Sequence, residues 1–164
     1  MKTRSYSNFL DLAKGRRTTY EFSSKKVKNS DINKILEAAR WAPSTSNIQP
    51  WHFIVVQDKK KISALIDSAS YGAFHTDSPL IIALVLLDEH WEPSEHRGIK
   101  NNKVGTAEAY LCLAMPALIM VFEAQELGIN SALVTPELKA SSKILKLKGN
   151  NICPLMLCLG YEAN

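Results

Sequence analysis

Apolar residues along this chain of 164 switch repeatedly between helical and extended spacing. Phe9, Leu10 and Ala13 fall on one side of residues 6–14, which predicts a helix closed by Gly15 as a glycine C-cap. Ile32, Ile35, Leu36, Ala39 and Ala42 repeat at three and four positions, predicting a helix over 31–42 with Ser30 or Asp31 as N-cap. Residues 51–57 read as a compact strand, and Ile62, Leu65, Ile66 and Ala69 mark a second amphipathic helix over 60–70. Residues 80–87 are continuously apolar and predict a central strand buried on both faces. A polar stretch, 88–103, is the longest expected loop. Residues 106–127 predict one long helix ended by Gly128, kinked or restarted near Met115 because Pro116 lies inside it. A short strand over 131–134 follows, then a helix through 148 that Thr135 caps and Pro136 opens. Residues 154–159 make the last strand. With no repeat, low-complexity run or linker, the pattern predicts one α+β domain over 1–164. Its centre is a mixed or antiparallel sheet flanked by helices.

Composition narrows the class. A hydrophobic content of 46% is enough for one proper core. No uninterrupted apolar run reaches about eighteen residues, and no apolar stretch follows Met1, so neither a membrane span nor a secretory signal is expected. Cys112, Cys153 and Cys158 are odd in number, lie in apolar surroundings and lack Cys-x-x-Cys spacing. They read as reduced core thiols of a cytoplasmic protein. The formal charge of +4 comes with lysine clusters at 25–28, 59–61 and 139–148, without interleaved aromatics or a binding motif. No nucleic-acid partner is expected.

The most informative stretch is Ala42-Pro43-Ser44-Thr45-Ser46-Asn47-Ile48-Gln49-Pro50-Trp51-His52-Phe53. A helix-to-strand connection needs only a turn. Here two prolines restrict the backbone while five polar side chains offer donors and acceptors, a combination suited to a planar, hydrogen-bonding ligand. Upstream, Arg16 and Arg17 supply forked, charge-assisted donors for a phosphate, and Thr18 adds a hydroxyl.

Pro-Ser-x-x-Asn-x-Gln-Pro-Trp-x-Phe resembles the hallmark loop of the nitroreductase family, flavoproteins that use FMN. Arg16-Arg17-Thr18-Thr19-Tyr20-Glu21-Phe22 is similar to that family's Arg-Arg-Ser-x-Arg-x-Phe element. Leu127-Gly128-Ile129 and the final strand running into Gly160-Tyr161 resemble its later segments. The resemblance implies a nitroreductase-like layered fold. It also implies that Arg16, Arg17 and Thr18 contact the FMN phosphate, ribityl and pyrimidine groups, and that Pro43, Ser44, Thr45 and Asn47 contact flavin across a homodimer interface. Gln49 would support that loop, and Leu133, Val134 and Thr135 would lie near flavin N5. Electrons would pass from NAD(P)H through FMN to a nitroaromatic, quinone or similar small acceptor by a ping-pong route, with no catalytic side chain required. A non-catalytic flavin carrier or sensor is the alternative. The apolar stretch 111–122 is the expected dimer element.

Three departures from the family pattern stand out. Tyr20 replaces a basic residue, the sequence ends at Asn164, soon after Tyr161, and residues 119–124 lack the Asn-Leu-x-Leu-Ala-Ala style run. A phosphate site with fewer cations, and weaker FMN binding, are the expected consequences.

His90-Trp91-Glu92-Pro93-Ser94-Glu95-His96 has neither His-Glu-x-x-His nor zinc-finger spacing, so no metal is expected there. It reads as a solvated loop able to cover the flavin, with Trp91 or His96 near the pocket. His52 is expected on the face of its strand opposite Trp51 and Phe53, and His75 has no visible partner. No Gly-x-Ser-x-Gly elbow surrounds Ser44, and no Gly-x-Gly-x-x-Gly fingerprint is present.

Overall fold

The computed structural model describes residues 6–70 and 77–163; His75 lies outside them. Among the described residues five helices and six strands appear in the order α1 (Phe9–Gly15), α2 (Asn29–Arg40), β1 (Trp51–Val56), α3 (Lys59–Asp67), β2 (Leu80–Leu86), β3 (Ile99–Lys100), β4 (Lys103–Val104), α4 (Thr106–Glu126), β5 (Asn130–Val134), α5 (Leu138–Leu145) and β6 (Ile152–Gly160). The four longer strands form one sheet in the order β1-β2-β6-β5, antiparallel at every step.

Strand alternation builds two cores from this one sheet. Leu80, Ile82, Leu84 and Leu86 of β2 join Ile35 and Ala39 of α2 and Leu113, Ala117 and Met120 of α4. Ile81, Ala83 and Val85 point the other way, to Ile62, Leu65 and Ile66 of α3. The uniformly apolar 80–87 run is therefore a central strand buried on both faces, as expected, although its neighbours are antiparallel. Helices cover both faces, making a layered α+β domain.

Helix ends differ from the sequence reading. Asn8 caps α1 by accepting from the Asp11 N–H. Arg16, in extended conformation, follows as C-cap, so Gly15 is not a left-handed cap; a Cβ there would meet the Tyr6 ring at 2.7 Å. Lys28, with no side-chain cap bond, precedes α2. Glu137, not Thr135, caps α5 by accepting from the Lys139 and Ala140 N–H groups, because Pro136 is taken up in a bridge to Ala69. α4 runs through Pro116 as one helix from Thr106 to Glu126.

Candidate functional site

Between α2 and β1, the loop Ser44–Pro50 turns through a 3-10 turn, Thr45–Asn47. Ser46, Asn47 and Gln49 all take positive φ (47°, 56° and 47°), a region that costs a non-glycine residue about 1–2 kcal/mol. Local bonds hold the turn. The Gln49 N–H donates to Ser44 Oγ at 2.9 Å, and Asn47 and Ile48 N–H groups donate to the Ser44 and Thr45 carbonyls at 3.0 Å each. Gln49 Nε2 reaches the Arg40 carbonyl at 3.4 Å, so Gln49 braces the loop's entry. One tie comes from far away in sequence: Cys112 of α4 accepts from the Thr45 N–H at 3.4 Å, and its thiol lies 3.6 Å from Thr45 Oγ1. Cys112 looked like a plain core thiol in the sequence. It is buried, but it also braces the loop.

Arg16, Arg17 and Thr18 lie at the far end of the same helix. Gln125 donates to the Leu12 carbonyl, and the Phe9 and Phe122 rings meet edge-to-face at 5.2 Å, seating α1 on the last turns of α4. From Cys112 to Gln125 is thirteen positions (125 − 112), about 20 Å at ~1.5 Å per residue. Within one chain, the arginine segment and the Pro43–Asn47 loop are thus tied to α4 about 20 Å apart. Thr18 forms a parallel bridge with Ser131 on the β5 edge, and the Thr19 N–H donates to the Ser131 carbonyl at 3.0 Å. Leu133, Val134 and Thr135 follow on that edge, with Thr135 roughly 13 Å from Ser131 at ~3.3 Å per residue. Leu133 and Thr135 are exposed and Val134 is buried.

The two arginines diverge. Arg16 Nη1 lies 3.5 Å from Thr18 Oγ1, so these side chains share a face. Arg17 and Thr19 instead line a cleft of roughly 600 Å³ on the other side. Arg17 Nη1 donates to the Lys14 and Arg16 carbonyls, at 2.8 Å each, as a cap on α1. Period-two alternation of extended chain accounts for the split.

Between the two ends, α4 exposes an apolar stripe. Leu111, Met115 and Leu118 are 62%, 42% and 48% accessible, and Phe9 (67%) and Leu10 (59%) extend the stripe onto α1. The apolar side of α1 thus faces outward instead of into the core. α4 is long and apolar enough to cross a membrane by length and mean hydropathy (1.6), but its other side, including Leu113, Ala117, Met120 and Ala124, packs into the core described above.

The 88–104 loop folds on itself. Trp91 is buried, 5% exposed, and bridges Val104, so it is a core residue instead of a pocket wall. The His96 ring contacts Ser94 Oγ, Glu92 (3.4 Å) and the Lys103 carbonyl (3.2 Å), and β3 and β4 pair as a small hairpin. Among the described residues no group of three potential metal ligands gathers. His52 is exposed beside buried Trp51 on β1. All three cysteines are free and buried. Burial pushes the Cys153 and Cys158 thiols up to about 12.

A profile of the Nitroreductase family matches residues 13–117, more than half of the chain. A Thermus thermophilus protein named NADH dehydrogenase is 29% identical, covering 90% of this chain and 83% of that protein. Over a shorter stretch, 57 residues, a relative from Archaeoglobus fulgidus is 42% identical, covering 35% of this chain and 33% of its own. In such curated relatives the chain matches only about a third to a half of the length, 33% to 46%. Among solved structures, a nitroreductase family protein from Clostridium difficile superimposes with a TM-score of 0.79 at 26% identity, covering 96% of this chain and 86% of that one. An FMN-dependent nitroreductase from the same species shares the fold, with a TM-score of 0.78 at 23% identity over 93% and 87% of the two chains.

Proposed function

The chain belongs to the nitroreductase family, and on that premise we propose that it is an FMN-dependent oxidoreductase whose cofactor site is built by two copies of the chain. The observation that carries this reading is the layout of α4. The strained polar loop is tied to Cys112, and the Arg16–Thr18 segment is seated near Gln125, about 20 Å away. Exposed Met115 and Leu118 lie between them, with exposed Leu111 beside Cys112. A two-fold axis across that stripe sets each chain's loop beside its mate's arginine segment, so burial of the stripe and completion of the site are one event.

The donor set suits FMN. Arg16 presents an exposed guanidinium beside the Thr18 hydroxyl, a pairing for a phosphate and the polyol that carries it. Ser44, Thr45 and Asn47 present polar groups on a backbone whose left-handed turns are already set, so little ordering is left to binding. The exposed Leu133 offers an apolar surface at the β5 edge, on the strand that Thr18 bridges. When bound, FMN supplies the redox chemistry, taking two electrons from NAD(P)H and passing them to a nitroaromatic, quinone or similar small acceptor in alternating half-reactions. The protein's task is to bind, orient and exclude water, and no side-chain acid or base is assigned.

The purified protein is expected to be yellow, and its flavin band to bleach under anaerobic NADH or NADPH and return on adding a quinone. A band that never bleaches favours a flavin carrier or sensor on the same fold. Protein that takes up no FMN refutes the reading.

A further inference from the structure

The 600 Å³ cleft is of ligand size, and the flavin reading does not use it. It opens beside the end of α4, behind the Arg16–Thr18 face, and Arg17, Lys25, Lys28, Asp31, Asn130 and Glu162 are among its lining residues. None of the three cations has an ion-pair partner within 4 Å among the described residues. Two are held in place by other means. Arg17 Nη1 is anchored on two carbonyls, which fixes the guanidinium fork and leaves its other donors without a partner among the described residues. Lys25 Nζ sits 3.9 Å from the centre of the Tyr161 ring.

Three cations against two carboxylates make the cleft net basic, and the same lining offers the carboxylates as acceptors. A simple anion satisfies only half of this lining. A phosphate esterified to a hydroxyl-rich skeleton satisfies both halves: its phosphate meets the cations, and its hydroxyls donate to Asp31 and Glu162. We propose that this cleft binds a phosphate monoester bearing several hydroxyl groups, of sugar-phosphate or mononucleotide size, separately from the flavin. Period-two alternation keeps the two sites apart, since Arg16 and Thr18 share one face and Arg17 and Thr19 line the cleft on the other.

The test is calorimetric titration of FMN-saturated protein with ribose 5-phosphate, AMP, ribose and inorganic phosphate, with flavin absorbance followed in parallel. At least one ester should bind, inorganic phosphate should bind more weakly, and ribose should not bind measurably. The K25Q/K28Q double variant should weaken ester binding by about tenfold or more, the scale expected for losing charged hydrogen bonds, and leave FMN binding unchanged. The proposal is overturned if neither ester binds at millimolar concentration, if phosphate binds as tightly as the esters, or if the double variant is indistinguishable from wild type. Release of FMN by the ester also overturns it, because the cleft would then be part of the flavin site. If the protein takes up no FMN, the flavin reading fails on its own, and the same titration on flavin-free protein still decides the cleft.

Discussion

Adjacent arginines with identical chemistry have different jobs when extended backbone sends them to opposite faces. Arg16 shares a face with Thr18, whereas Arg17 bonds the end of α1. Arg16→Ala should therefore weaken FMN binding about tenfold or more, on the order of 1.5–3 kcal/mol for a charged hydrogen bond, and affect riboflavin far less. Arg17→Ala should cost FMN affinity less than Arg16→Ala does, and fluorescence titration with both flavins separates the cases. Equal losses for FMN and riboflavin would sink the phosphate role of Arg16. At Cys153 and Cys158 the residue scale also sets a pH dependence. Burial raises both thiols from 9.0 to about 12, so the folded state keeps protons that the unfolded chain gives up. Their contribution is complete below pH 9 and is lost as pH rises from there toward 12. Thermal melts should show stability falling across that alkaline window, less steeply in a C153A/C158A variant. Glu137 works in the opposite sense: the Lys139 and Ala140 N–H groups it accepts from hold its carboxyl below the ordinary range, so its capping of α5 fades as pH drops into the acid range.

At the scale of elements, α4 carries two apolar faces with different fates. One side packs into the core with α2 and β2. The other exposes Leu111, Met115 and Leu118. Leu118→Glu should leave the fold intact, since its side chain has no core position, but should turn a dimer into a monomer by light scattering. If the site needs two chains, FMN binding falls with it. A variant that stays dimeric and keeps its flavin removes α4 from the interface. The helix itself was legible in the sequence, because an apolar run of this length closed by Gly128 has few other solutions. Which of its faces would be left uncovered was not, because α4 is apolar all round and periodicity cannot rank its sides. α1 misled for a related reason: Phe9 and Leu10 are on one side as expected, but that side faces outward.

For the whole molecule, the proposed two-chain site would tie flavin binding to assembly. Saturating FMN should raise the melting temperature, by the equivalent of about 2.7 kcal/mol at a hundredfold excess over Kd, and the melt should rise with protein concentration. A melting temperature independent of protein concentration would argue against a two-chain site. The α+β class and the order of the helices and four longer strands followed from the sequence, because alternation in strands and three-to-four spacing in helices are local properties; the short β3–β4 hairpin, inside the expected 88–103 loop, did not. The 42–53 loop stood out for the same reason, since prolines and polar side chains in one short run are visible without knowing the fold. Helix caps were misplaced by a residue or more, because Pro136 and Thr135 look like a helix start until β-bridging to Ala69 claims the proline.

Neighbouring residues alone mark the sheet's central strand, the long α4, the polar loop and the arginine segment. Folding adds that Cys112 braces Thr45 across 67 positions, that Arg16 and Arg17 part company, and that the loop and the arginines are tied to one helix about 20 Å apart. Each of those depends on which distant surfaces pack together, and packing is a property of the folded chain that no local pattern contains.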